Sequence, residues 1–237
     1  MQAINSATLQ VIPVFYKDSH ELYRVAELDE LPWLVHGFGT RRAEVPTNLT
    51  TLKQVHSSIC VLASGRSGVL GEGDALLENT PGSAVAVKTA DCVPILLVDR
   101  RHRAVAAVHA GWRGAAAEIV RQAVEHLGRE FEAAPADLEA AIGPAIGPCC
   151  YEVGPEVAAH FPKSLEIGSD GRPHVDLAGA NRRQLLASGL DAARIYTSGL
   201  CTMCLPDEFH SFRRDKQDAG RMFSFVGLRR AVPYAVE

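Results

Sequence analysis

Two uninterrupted apolar runs on either side of a short charged segment constrain this chain more than any other feature. Residues 93–98 (VPILLV) and 104–108 (AVAAV) flank residues 99–103 (DRRHR), whose length and polarity suit a turn. The runs therefore read as two strands of an antiparallel hairpin. Neither alternates apolar with polar side chains, a pattern of strands buried on both faces. Residues 83–89 (SAVAVKT) form a further strand just upstream.

Beyond residue 114 the period changes. Ile119, Val120, Ala123, Val124 and Leu127 recur at helical spacing, with Glu118, Arg121, Gln122 and Glu125 on the other side and Gly128 as a stop signal. A second helix is expected over residues 177–188, with Asp176 as N-cap and Gly189 closing it. Short strands are expected at 59–62, 138–142, 194–197 and 222–226. Hairpin-paired strands with helices set irregularly between them indicate an α+β fold with mixed β-sheets flanked by helices. No internal repeat or linker divides the chain, so residues 1–237 are read as a single compact domain.

Charge and cysteine usage narrow the chemistry. A net charge of -4 gives no general attraction to phosphate backbones or anionic lipid, so neither nucleic acid nor membrane is expected as a partner. No apolar stretch approaches the roughly 18 residues a spanning helix needs, and no positive charge precedes Lys17 as a targeting segment would require. The expected compartment is the cytoplasm. There the six cysteines, Cys60, Cys92, Cys149, Cys150, Cys201 and Cys204, stay as thiols available for metal or catalysis.

Three good metal ligands sit at the ends of expected elements: His56 before a strand, Cys92 at the start of VPILLV and His109 after AVAAV. An antiparallel hairpin places Cys92 and His109 at the same end of the ladder. Two imidazoles and a thiolate suit zinc, with the fourth position left for water or substrate. Copper is the lesser alternative, because the three methionines, Met1, Met203 and Met222, lie far from these strands in sequence and no His-x-His pair occurs. Asp91 precedes Cys92 as a proton carrier or as an orienting group. In AVHAGWRGAA, Gly111 and Gly114 permit close approach, Trp112 offers a flat face and Arg113 a cation for an anion such as phosphate.

Other thiols and cations carry weaker signals. AIGPAIGPCCYEVG is a rigid loop presenting Cys149 and Cys150, either of which could serve a Cys/His hydrolase as nucleophile. Cys201-x-x-Cys204 is half of a structural zinc site with no second half following it. FHSFRRDKQDAGR clusters Arg213, Arg214 and Arg221 as further anion contacts.

The ordered set KQVHS, GDALL, KTADCVPILLVD, AAVHAGWRGAA, AIGPAIGPCCYEVG and CTMC…FHSFRRD…GR resembles the laccase-domain family, also labelled multicopper polyphenol oxidase. The resemblance covers most of the chain from about Gly37 onward. It implies zinc-dependent purine nucleoside chemistry: phosphorolysis of adenosine, inosine, guanosine and methylthioadenosine, and deamination of adenosine. It implies His56, Cys92 and His109 as zinc ligands, and a nucleoside and phosphate as the small-molecule partners. Arg113, backed by Arg213 and Arg214, is then the expected phosphate contact, Trp112 the surface for the base, and Cys149 a further substrate contact. One departure is a shortened segment between Arg42 and Lys53. Alternatives are a hydrolase editing misincorporated amino acids in peptidoglycan precursors, a copper polyphenol oxidase, and a zinc-stabilised binding module without turnover.

Overall fold

The computed structural model describes residues 14–168 and 171–230. In chain order its elements begin with β1 (Phe15–Lys17), β2 (Leu22–Val25), α1 (Ala26–Asp29) and β3 (Leu34–Gly39). Next come β4 (Thr51–Lys53), β5 (Cys60–Leu62), β6 (Val69–Glu72) and β7 (Ala75–Glu78), then the longer β8 (Ala84–Thr89), β9 (Val93–Asp99) and β10 (Ala104–Ala110). They lead into α2 (Trp112–Ala116), α3 (Ile119–Phe131), β11 (Leu138–Ile142), α4 (Pro155–Ala158), β12 (Leu165–Ile167) and β13 (Pro173–Val175). The remainder is α5 (Leu177–Ala187), β14 (Ile195–Thr197), α6 (Phe212–Asp215) and β15 (Met222–Leu228).

The expected hairpin is β9 and β10, paired antiparallel with Val98 opposite Val105 and Pro94 opposite His109. Every residue of both strands is buried. Along β10, Ala104, Ala106, Val108 and Ala110 pack in one core with Ile119, Val120, Val124 and Leu127 of α3. Val105 and Ala107 pack in a second core with Phe38, Val85, Val87 and Val226. The period of two is therefore intact, but it sorts side chains between two apolar layers instead of between core and water.

Those layers follow from the sheet order. The sheet β1-β2-β3-β15-β8 is antiparallel, whereas β14-β11-β9-β10-β7-β5 is mixed, with β11 parallel to β14 and β5 parallel to β7. The two sheets enclose the second core, and α3 and α5 cover the far face of the six-stranded sheet. This is an α+β domain with mixed sheets. Among the described residues, no helix is long and apolar enough to cross a membrane.

The helix α3 buries all five expected core residues, and its four large aliphatic ones contribute about 1.5–3 kcal/mol each. Gly128 does not end it. The helix continues to Phe131 and closes at Glu132, whose backbone is left-handed (φ 60) and whose N–H donates to the Gly128 carbonyl. The expected cap of α5 is formed, with the Asp176 carboxylate accepting from the Gly179 N–H at 2.8 Å and Gly189 following the helix at φ 97. The expected short strands appear as β5, β11, β14 and β15, the last extending to Leu228.

Candidate active site

The β9–β10 register carries Cys92 and His109 to one end of the six-stranded sheet, and the loop after β4 brings His56 beside them. The Cys92 Sγ lies 3.9 Å from the His56 Nε2, and the two imidazole rings sit edge to face at 4.9 Å between centroids. One ligand atom from each of the three residues falls within 4.8 Å of the others, so the group can hold a single metal ion. Gly111 makes this approach feasible. A Cβ there would lie 2.8 Å from the His56 Cδ2 and 3.1 Å from the Cys92 Sγ.

Asp74, fully buried at the entry to β7, organises all of this. Its carboxylate accepts from the backbone N–H groups of Val55, His56 and Ser57 at 3.3, 3.0 and 2.6 Å and from the Ser57 hydroxyl at 2.7 Å. It also contacts the His109 Nδ1 at 2.8 Å. That bond orients the His109 ring and leaves its Nε2 available to a metal, the usual arrangement of a metal-binding histidine on a carboxylate. The loop it gathers includes His56 itself, held at φ 59.

Without an ion, electrostatics within the cluster favour a thiolate at Cys92 beside a protonated imidazole at His109. Burial pushes the Asp74 carboxyl upward, but hydrogen bonds from His109 and Ser57 outweigh it and hold the group well below the usual carboxylate range. Burial likewise raises Cys92, yet its contacts with His109 and His56 bring the thiol down to about 6. His109, lowered by burial, is lifted to about 9 by Asp74 and Cys92. A metal ion held by these residues would have to displace the His109 proton, because a ligating imidazole is neutral.

The three residues line a pocket of about 680 Å³, within the roughly 300–1,000 Å³ that suits a small organic ligand. Asp91, Trp112, Arg113 and Arg213 line it as well. Asp91, at φ 83, accepts from the Thr202 hydroxyl at 2.7 Å and from the Arg213 backbone N–H at 2.6 Å. The Arg113 guanidinium lies 4.4 Å from the Trp112 ring centroid, and that of Arg213 lies 5.5 Å from the ring of Tyr151. Cys149 and Arg214 lie outside the lining. The Cys149 thiol faces Cys204 at 3.7 Å, while Arg214 donates to the Thr202, Met203 and Phe209 carbonyls and pairs with Asp215.

Several contributors carried no assigned role in the sequence. Asp74 stands in the GDALL segment, where only its burial and five contacts mark it as the organiser. Tyr151 adds a half-buried ring to the wall, and burial pushes its hydroxyl up to about 12. Gln54 joins the His56 loop to β8, exchanging two 2.8 Å bonds with the Lys88 backbone. The lining also includes Lys53, Lys88, Arg113, Arg213, Lys216 and Arg221 against one carboxylate, Asp91, on a chain whose net charge is -4.

The model of the multi-copper polyphenol oxidoreductase laccase family matches residues 39–229. The chain belongs to that family. A family relative from Bacteroides thetaiotaomicron, named purine nucleoside phosphorylase, is 35% identical over 205 residues, which cover 79% of this chain and 76% of the relative. Another, named adenosine deaminase RL5 and from an unknown prokaryotic organism, is 41% identical over 162 residues, covering 65% and 61% of the two chains. The crystal structure of YlmD from Geobacillus stearothermophilus superposes with a TM-score of 0.82 at 29% identity, covering 92% of this chain and 99% of that one. The relatives' names point to an enzyme, whereas the family's description points to copper.

Proposed function

We propose that this member of the laccase family is a zinc-dependent purine nucleoside phosphorylase that also deaminates adenosine. The observation that carries this reading is the pocket's composition: a two-histidine, one-cysteine ligand group in a cavity of nucleoside size whose walls are cationic. A phenol needs no such surplus of positive charge. Phosphate does, and the names of the relatives agree with it.

His56, Cys92 and His109 would hold the ion through two nitrogens and a sulfur. Such a set suits zinc, and among the described residues no methionine of the kind blue-copper sites add lines the pocket. When bound, the ion supplies Lewis acidity at the position its three protein ligands leave open. Phosphorolysis breaks the bond between the ribose anomeric carbon and the purine nitrogen as a phosphate oxygen takes the nitrogen's place. The base leaves with the bonding electron pair and must be protonated. Arg113 and Arg213 neutralise the phosphate, and Trp112 and Tyr151 form the flat walls against which a base packs. Asp91 positions Arg213, because its carboxylate holds that residue's backbone N–H.

Phosphate-dependent release of hypoxanthine from inosine tests the assignment. The expected result is loss of both metal and turnover in His56→Ala, Cys92→Ala and His109→Ala. Retained turnover in all three would remove the ligand assignment. Deamination is tested separately by conversion of adenosine to inosine without phosphate.

A further inference from the structure

We infer that Cys149, Cys150, Cys201 and Cys204 bind a second zinc ion, whose role is to join two loops behind the pocket. The Cys201-x-x-Cys204 pair has no partner pair near it in sequence, but the fold supplies one. Residues 147–150 leave β11 and residues 201–204 leave β14, two strands that are parallel neighbours, so both loops emerge at the same end of the sheet. A bridge between Ala145 and Cys201 continues that pairing to the cluster.

The four sulfurs all lie within 4.8 Å of one another. Cys204 is 3.7 Å from the Cys149 sulfur and 3.3 Å from that of Cys150. Tetrahedral coordination at a Zn–S length of about 2.3 Å sets sulfurs roughly 3.8 Å apart, so four thiolates need little adjustment around one ion. The Gly147 N–H donates to the Cys201 Sγ at 3.3 Å, supplying a donor that a thiolate ligand uses to spread its charge. Four sulfurs leave no coordination position open, which marks a structural centre. This set is separate from His56, Cys92 and His109, and the two groups share no residue.

The joined loops support the pocket directly. Downstream of Cys150, Tyr151 lines the wall and the Glu152 carbonyl accepts from the Arg213 guanidinium at 2.9 Å. Between Cys201 and Cys204, Thr202 holds Asp91 through its hydroxyl, and the Thr202 and Met203 carbonyls accept from Arg214 at 3.1 and 3.3 Å. An ion across the loops therefore sets the spacing between Tyr151 and Asp91 without touching substrate.

Native mass spectrometry of the zinc-supplied, reduced full chain counts bound ions. The wild type should bind one more zinc than Cys149→Ser/Cys204→Ser, and His56→Ala/His109→Ala should keep the thiolate-bound ion. A count unchanged by the cysteine substitutions overturns the site. The wild type alone gives a second test that does not depend on a variant's folding. Cys149 and Cys204 are exposed, so alkylation should modify them slowly with zinc bound and rapidly once a chelator removes it. Equal rates in both conditions, or a Cys204 disulfide seen as the loss of two hydrogens in mass, would also overturn it.

Discussion

At the residue scale the His109 to Asp74 contact organises the candidate metal group, because one carboxylate orients the His109 ring and ties down the loop bearing His56. Asn at position 74 keeps one acceptor oxygen but turns an amide toward backbone donors. Asp74→Asn should therefore weaken metal binding about 10–100-fold, measured by competition with a chelator of known affinity; unchanged affinity would deny Asp74 this role. The meeting of Cys92 and His109 was legible in the sequence, since the hairpin supplied a reason for it. Asp74 was not, as a carboxylate before an apolar run is ordinary until its five donors are seen around it. Cys149 shows the opposite limit: its rigid loop suggested exposure to substrate, but the fold directs its thiol to Cys204.

At the element scale, the elements that periodicity made legible are the long ones, although the three-residue β5 and β14 were also expected. The β9–β10 hairpin and α3 qualify, and the core face of α3 matches residue for residue. The strands β1, β2, β4 and β6 have only three or four residues, too few to show a period. In β3, two glycines and the buried His36 disguise a central strand as turn material. Because α3 packs behind the sheet and contributes nothing to the pocket lining, its core and the site should separate experimentally. Leu127→Ala should cost about 2–5 kcal/mol of stability in urea denaturation, while nucleoside turnover per folded molecule stays near wild type. A loss of turnover matching the loss of stability would show that the helix and the site are coupled.

At the scale of the whole molecule, two apolar layers share one sheet, and stability depends on groups sealed between them. His36 is fully buried on β3, where its Nε2 accepts from the Val25 N–H at 3.0 Å. Burial, reinforced by Arg24, lowers its pKa from 6.5 to about 4. The unfolded chain thus takes up a proton near pH 6.5 that the folded protein refuses until about pH 4, so stability falls as pH drops through that window. The loss is on the order of 3 kcal/mol by pH 4, and His36→Gln should show a shallower decline in urea midpoint from pH 7 to 4. An identical decline would place the acid sensitivity elsewhere. The family resemblance reached the overall architecture because its motifs lie on the strand ends that build the site, yet the cation-rich wall formed by residues from many segments becomes visible only in three dimensions. Chromatography of inosine incubated with the zinc-loaded protein, with inorganic phosphate supplied or withheld, bears most directly on what that wall is for. Hypoxanthine and ribose 1-phosphate should form in equal amounts with phosphate and not without it. Unreacted inosine at every phosphate concentration, from protein shown to carry its ion on His56, Cys92 and His109, would contradict the proposed activity.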